Sequence, residues 1–274
     1  MALFANALQL VAPGFRAAEE GGFHPPSIDE FFPGAIFFEG TPFEMNRIMI
    51  IRVIMTIVLL LLFYFGTRNM KVVPGRFQSL TEMALDFVRV NIAEDLLGKV
   101  DGRRFLPILC SIFFIILAFN ITGIIPGFNI GVSAVVGIPL VLAIVSYITF
   151  IYAGVKKSPG KFFKNSLFPA GVPKPFYILV TPIEFFSTFI LRPITLTLRL
   201  LMNLVVGHLL LVLFFSATWF FFFEAEGLLK GLGALTLVVG FAFTLFEILV
   251  AFLQAYIFTI LTGVYIQLAL AEEH

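Results

Sequence analysis

The chain alternates between long apolar runs and short polar connections, and the run lengths predict its organisation. Three runs, over residues 48–65, 106–125 and 132–155, are each bounded by Gly, Pro or charged residues. Since an α-helix rises about 1.5 Å per residue, about 20 apolar residues cross the roughly 30 Å hydrocarbon core of a membrane. Each of these runs therefore predicts one membrane-crossing helix.

Two further apolar runs, 176–223 and 228–270, are too long to cross a membrane upright. As continuous helices they would extend over roughly 60–70 Å, about twice the hydrocarbon thickness. A strongly tilted antiparallel pair fits these lengths, whereas splitting each run into two upright spans needs polar turns that the sequence lacks. The predicted fold class is an all-α polytopic membrane protein with about five crossing helices, the last two forming a long, tilted antiparallel hairpin.

The connections predict an amphipathic helix and a direction for the chain. Segment 67–105 carries apolar residues at helical spacing between charges, which is typical of a helix on the membrane surface or of a docking surface for a partner helix. Lys and Arg are retained on the cytoplasmic side of membranes. Seven of them lie in 67–104 and five in 156–174, but none in 126–131, so we expect the N-terminus outside and the C-terminus in the cytoplasm. The predicted segments are an extracytoplasmic stretch (1–47), a first transmembrane helix (48–66), a cytoplasmic loop with the amphipathic helix (67–105), a transmembrane hairpin (106–155), a basic cytoplasmic loop (156–175) and the long helix pair (176–274).

Composition excludes several classes of protein. The chain is 59% hydrophobic and only 13% charged, whereas soluble domains are about 25% charged. This composition excludes a water-soluble globular domain. Its 18 Lys and Arg nearly balance its 17 Asp and Glu, so no basic field attracts nucleic acid. A single cysteine, Cys110, excludes an intrachain disulfide framework and a multi-cysteine metal site. The motifs of phosphate loops, zinc proteases and acyl-transfer nucleophiles are missing, so we expect no catalytic chemistry, metal or cofactor in this chain.

The long helix pair contains ionisable side chains that hydrocarbon surroundings penalise. A charge near the bilayer centre costs about 2.5–3.5 kcal/mol on insertion scales, so each one calls for an explanation. Arg199 and Glu247 lie deep inside unbroken apolar runs and favour a functional role. For the others a structural role, interfacial or hydrogen-bonded, stays open. The set comprises Glu184, Arg192, Arg199, His208 and Glu247, with the amides Asn203 and Gln254 on the same runs.

Helical spacing places the arginines on one face of the first long helix. At about 100° per residue, Arg192 and Arg199 lie about 20° apart, and Asn203 lies about 40° further round. His208 is about 180° from Arg199, so we expect it to face the second long helix.

On the second long helix, Glu247, Gln254 and Tyr265 follow one line. Glu and His exchange protons near neutral pH when their environment tunes them, whereas Arg stays charged in proteins. The pattern therefore indicates a proton path along Glu247 and His208, with a permanent cation beside it that repels other cations.

Three stretches of sequence resemble the subunit a family of F-type ATP synthases, the stator of a membrane motor. The resemblance covers roughly 106–270 and departs at Leu201-Met202, where many relatives have Phe-Gly. The matching strings are Asn120-Ile121-Thr122-Gly123-Ile124-Ile125-Pro126-Gly127, Thr197-Leu198-Arg199-Leu200-Leu201-Met202-Asn203 followed by Gly207-His208-Leu209-Leu210, and Phe246-Glu247-Ile248-Leu249 followed by Leu253-Gln254-Ala255-Tyr256-Ile257-Phe258.

The resemblance implies a role for each of these residues in proton translocation. Arg199 would be the essential arginine that faces a carboxylate of the rotating c-subunit ring, with Asn203 beside it. His208 and Glu247 would form the acid and histidine pair of the outer aqueous half-channel, which Gln254 would line. We also predict Tyr265, on the same line of the second long helix, as a proton-translocation residue. By the same resemblance, Glu184 and Arg192 would flank the cytoplasmic exit.

The resemblance also implies partners and a place in the cell. Partners would be the c-subunit ring, the b-type peripheral stalk subunits and, through them, the soluble catalytic head, in a bacterial plasma membrane. The chain would then be a non-catalytic component of a proton-translocating ATP synthase. The same buried charges leave two alternatives, a stand-alone cation or proton antiporter and a passive assembly scaffold.

Overall fold

The structure, a computed structural model, describes residues 35–37, 45–68, 70–125, 135–160, 162 and 176–271. Most of the predicted extracytoplasmic stretch 1–47, the connection 126–131, most of the basic loop 156–175 and the tail 272–274 lie outside the described residues. Within the described part, the backbone is almost entirely helical. The helices are α1 (Arg47–Thr67), α2 (Arg76–Val88), α3 (Asp95–Ile121), α4 (Gly137–Lys157), α5 (Tyr177–Phe186), α6 (Arg192–Phe223) and α7 (Lys230–Leu270).

Two short strands precede α1. β1 (Ala35–Phe37) and β2 (Met45–Asn46) pair antiparallel, with Ala35 opposite Asn46. The side-chain amide of Asn46 then accepts a hydrogen bond of 3.0 Å from the backbone N–H of Met49 in the first turn of α1. This Asn side chain satisfies one of the donors that a helix start leaves without an intrahelical partner.

Five helical stretches among the described residues are long and apolar enough to cross a membrane, which confirms the predicted all-α membrane fold. A helix also occupies the segment predicted to be amphipathic. The membrane-crossing candidates are Arg47–Thr67, Arg76–Ile121, Gly137–Lys157, Leu179–Phe223 and Lys230–Leu270.

The stretch Arg76–Ile121 contains a sharp backbone break that separates the amphipathic helix from the crossing helix. Gly98 has φ 74° and ψ 176°, a conformation that is essentially restricted to glycine. Just before it, the π-helical turn Arg89–Glu94 has a salt bridge in which Arg89 Nε donates to Glu94 Oε1 at 2.9 Å. Val88 at the end of α2 and Ile92 within this turn are fully buried, so this end of the amphipathic segment packs on the protein itself.

The long pair α6 and α7 forms an antiparallel hairpin through the turn Gly227–Leu229. Residues progressively earlier in α6 contact residues progressively later in α7. Thr218 donates a hydrogen bond of 2.9 Å to Thr236, and the rings of Phe214 and Phe243 lie 5.7 Å apart further from the turn. The predicted antiparallel pairing is therefore confirmed.

A π-helical turn, Ser187–Leu191, joins α5 to α6 where the sequence places a proline. Pro193 is the second residue of α6 and has no N–H to donate to the carbonyl of Phe189 four residues earlier. An interrupted hydrogen-bond ladder is satisfied by a local change of helix type, and π-helical turns occur at such points.

The chain forms two compact units. Unit 1 comprises residues 1–59, 116–135 and 201–254, and unit 2 comprises 60–115, 136–200 and 255–274. Unit 1 contains the hairpin contacts described above. In unit 2, Ser146 of α4 and Thr262 of α7 share a hydrogen bond of 2.8 Å, and both side chains are fully buried. Interhelical hydrogen bonds of this kind help hold membrane helices together because lipid offers no competing partner.

Gly98 supplies a test of the break between the amphipathic and crossing helices. Gly98→Ala forces a Cβ into a conformation that costs about 1–3 kcal/mol, so the midpoint of thermal unfolding in detergent should fall. Gly75→Ala is the matched control, since Gly75 has φ −72° and an added Cβ there would meet no atom within 4 Å. Equal unfolding midpoints for the two variants would contradict the role of Gly98.

Candidate functional site

A small cavity in unit 1 brings four polar side chains together. Its volume is about 10 Å³. That is room for about one water molecule. The polar lining comes from Asn120 of α3, Asn203 and His208 of α6 and Glu247 of α7, and the apolar lining includes Leu204 and Leu211.

Glu247 fits beside α6 because the facing residue has no side chain. A Cβ placed on Gly207 would lie 2.6 Å from the carboxyl carbon of Glu247 and closer still to one of its oxygens. The carboxyl group therefore packs directly on the α6 backbone. Since Gly207 precedes His208 in sequence, the same turn of α6 offers both the gap for the carboxyl group and the neighbouring imidazole.

Burial differs among the four polar side chains. His208 is only 4% exposed, whereas Asn203 and Glu247 are half-buried. Since a carboxyl group and an imidazole can each hold or release a proton, the cavity combines two proton-carrying groups with two amides that can donate or accept hydrogen bonds.

Asn120 also lines the cavity, although the sequence did not predict it as a site residue. It is the first residue of the stretch 120–127, which resembles the family. It is 4% exposed, and neither its Nδ2 nor its Oδ1 has a hydrogen-bond partner among the residues that the structure describes. A buried amide without partners costs about 1–3 kcal/mol, which a water in the cavity would offset. The signal that was available is a polar residue inside the apolar run 106–125.

Arg199 lies on an exposed side of α6 in this chain. Its neighbours Leu196 and Leu200 are 3% and 0% exposed and form the packed side of the helix. A guanidinium keeps its charge in proteins, so α6 presents a permanent cation on the surface of the chain.

Arg192 lies over two aromatic rings of unit 2. Its Cζ atom is 5.2 Å from the ring centroid of Tyr265 and 5.8 Å from that of Phe150. Both distances are within the roughly 6 Å range of cation–π attraction. Sequence spacing aligned Tyr265 with Glu247, but in the structure the ring of Tyr265 contacts Arg192 and, edge to face, the ring of Phe150.

Glu184 and Gln254 are not part of the cavity lining. Glu184 is half-buried on α5, seven residues before the end of the π-helical turn, and Gln254 is 7% exposed on α7. Among the residues described, no group of three or more His, Cys, Asp or Glu side chains is placed to hold a metal ion.

Comparison with known proteins gives one consistent family. The model of the ATP synthase A chain family matches residues 49–267. ATP synthase subunit a of Rhodococcus erythropolis is 51% identical over 260 residues, which cover 94% of each chain. The corresponding protein of Paenarthrobacter aurescens is 38% identical over 97% of this chain and all of its own length, and that of Streptomyces lividans is 34% identical over 92% and 90%. This chain therefore belongs to the ATP synthase subunit a family, whose members are membrane subunits with a proton-translocating role in the ATP synthase complex.

Proposed function

We propose that this chain is the proton-conducting stator of the membrane sector and that the unit 1 cavity belongs to its outer half-channel. The observation that carries this proposal is the convergence of Glu247, His208, Asn120 and Asn203 on a space for about one water. A carboxyl group and an imidazole can pass a proton through such a water, and the amides orient that water.

Arg199 supplies the second part of the proposal. Arg199 is exposed on α6, and we infer that it lies at membrane depth against a neighbouring subunit. A charge in hydrocarbon costs about 2.5–3.5 kcal/mol on insertion scales, and an anionic partner on another polypeptide would offset that cost. We assign that partner to a carboxylate on a rotating ring of c subunits.

The proposed cycle then follows from charge. A proton enters past His208 and Glu247 and neutralises a ring carboxylate, which can now move into lipid. When the same carboxylate reaches Arg199 after most of a turn, the guanidinium favours its ionised form and the proton leaves. Each proton contributes about 2.3 kcal/mol per 100 mV of membrane potential, and this work turns the ring.

The remaining polar residues of the long pair complete the proposed paths. Glu184 and Arg192 flank the exit to the cytoplasm, and Gln254 lines the path beside Glu247. In this arrangement the N-terminus lies outside a bacterial plasma membrane and the C-terminus lies in the cytoplasm. The c-ring, the b-type stalk subunits and, through them, the catalytic head are the proposed partners.

Replacing the exposed cation tests the coupling. Arg199→Ala should abolish proton-driven ATP synthesis in membrane vesicles. Without the guanidinium, no cation favours the ionised form of the arriving carboxyl group, so it keeps its proton. Assembly of the complex, measured on native gels, should be unchanged. Arg76→Ala, at the exposed start of α2, is the control and should keep its activity. Synthesis retained by Arg199→Ala would refute the proposal.

The purified chain distinguishes the stator from an antiporter with the same buried charges. A stator without its ring should not exchange ions when reconstituted alone in liposomes that contain a pH-sensitive dye. Exchange of protons for another cation under these conditions would favour the antiporter.

Neutralising the acid of the cavity should slow proton passage through the outer half-channel in either direction. We expect Glu247→Gln to lower ATP-driven proton pumping at least about tenfold, since an amide cannot accept and release a proton; general acid–base groups typically contribute about 10²–10⁴-fold. Thr236→Val, on the same helix and outside the cavity lining, is the matched control and should change pumping little. Equal pumping by the two variants would exclude Glu247 from the path and would fit a passive scaffold.

The missing side chain at Gly207 is also testable. Gly207→Ala should push the Glu247 carboxyl group away from α6 and reduce pumping, because the added Cβ overlaps that group. Gly231→Ala is the matched control, because Gly231 lies on the same hairpin and a Cβ added there would meet no atom within 4 Å. Alanine there should keep full pumping and can stabilise the helix by up to about 1 kcal/mol. The measurement is dye-reported pumping at equal amounts of assembled complex, and full activity of Gly207→Ala would show that close packing of the carboxyl group is not required.

A further inference from the structure

The guanidinium of Arg192 is held by aromatic rings from two other helices. Arg192 begins α6, Phe150 lies on α4 and Tyr265 lies on α7, and all three belong to unit 2. The Cζ atom lies 5.2 Å from the Tyr265 centroid and 5.8 Å from the Phe150 centroid. One cation thus joins three helices.

The two rings are fixed by their own packing. Phe150 and Tyr265 meet edge to face, with centroids 6.4 Å apart and planes at 65°. Phe150 is 3% exposed and also packs against Phe162, at 5.3 Å between centroids. The ring of Phe162 in turn occupies the space that a Cβ on Gly154 would need. The cation is therefore bound to rings that have little freedom to move.

The frame behind the rings is held by a hydrogen bond as well. Ser146 on α4 and Thr262 on α7 are bonded at 2.8 Å, four residues before Phe150 and three before Tyr265. Helices α4 and α7 are thus joined directly beside the position where Arg192 attaches α6 to them.

The contact that holds Arg192 is aromatic rather than acidic. Arg192 forms no ion pair with a carboxylate of the described residues. Aromatic faces attract a cation without binding protons, whereas an acidic partner would add a group that titrates. A cation held in this way adds no carboxylate that would compete for protons near neutral pH beside a proton path.

Arg192 and Arg199 are linked through the geometry of α6. They are seven residues apart, which is about two helical turns and about 20° around the axis. An attachment that fixes the first turn of α6 therefore also fixes the position of Arg199 along the helix axis and its angle around that axis.

We propose that Arg192 is a positioning residue whose cation–π contacts with Phe150 and Tyr265 hold α6 so that Arg199 meets its partner at a constant place. The proposal rests on the proposed function of Arg199. Arg192 itself transfers no proton, and its contribution is to the orientation of the helix.

Ring fluorination tests this clamp because each fluorine withdraws charge from the aromatic face with little change in size. Tyr265→Phe should keep most of the ATP-driven proton pumping, since the ring remains. Phenylalanines with one, two and three ring fluorines at position 265 should then lower pumping in steps, by about tenfold over the series. The same series at Phe189 is the matched control. That ring lies 6.3 Å from Tyr147, which in turn lies 5.8 Å from Phe150, but it has no cation–π contact with Arg192.

The series has outcomes that decide the proposal. A stepwise loss at position 265, a flat response at 189 and the disappearance of the steps in an Arg192→Gln background would support it. A flat response at 265, or equal losses at 265 and 189, would overturn it. Failure of the clamp is separable from failure of the proposed function, because the clamp can fail while Arg199→Ala remains inactive. If Arg199→Ala makes ATP, the stator function itself fails.

Discussion

Hydrocarbon does not solvate charge, so an ionisable side chain of the long helix pair needs surroundings that stabilise it. Glu247 packs on bare backbone at Gly207 and shares a water-sized space with His208 and two amides. Arg192 lies over aromatic faces instead. The first arrangement leaves room for a water beside the protonatable groups, and the second stabilises a permanent cation on aromatic faces. The two arrangements therefore suit different chemical tasks.

Small and hydroxyl-bearing residues make these arrangements possible. Membrane helices gain little from the hydrophobic effect when they associate, so they depend on close packing and internal hydrogen bonds. Gly207 admits a carboxyl group and Gly154 admits the ring of Phe162. The buried hydroxyls of Thr259 and Thr262 donate to carbonyls four residues earlier on α7, so they add no unsatisfied polar group. Polar residues can thus occur on apolar helices at low cost.

The sequence predicted the helices and part of the site, for physical reasons that also explain the rest. Run length predicts crossings because helix rise and membrane thickness are fixed quantities. His208 and Glu247 stood out because charge in an apolar run is costly. Asn120 did not, because its importance comes from facing a cavity built by distant segments of the chain. Asn203 lies about 140° from His208 on an ideal helix, yet both line the cavity, since a cavity surrounds part of a helix rather than touching one line of residues.

The contrast between the two arginines of α6 shows why face assignments alone do not give roles. Arg192 and Arg199 share a stripe by spacing, but Arg192 lies over rings of α4 and α7, whereas Arg199 lies on an exposed side of the helix. An arginine whose guanidinium already covers two rings has fewer open directions for a passing carboxylate. An exposed arginine is accessible to an anion that moves along the surface of the chain. Two identical side chains on one helix thus suit different functions because their surroundings differ, one lying over a fixed aromatic surface and the other lying at the surface of the protein.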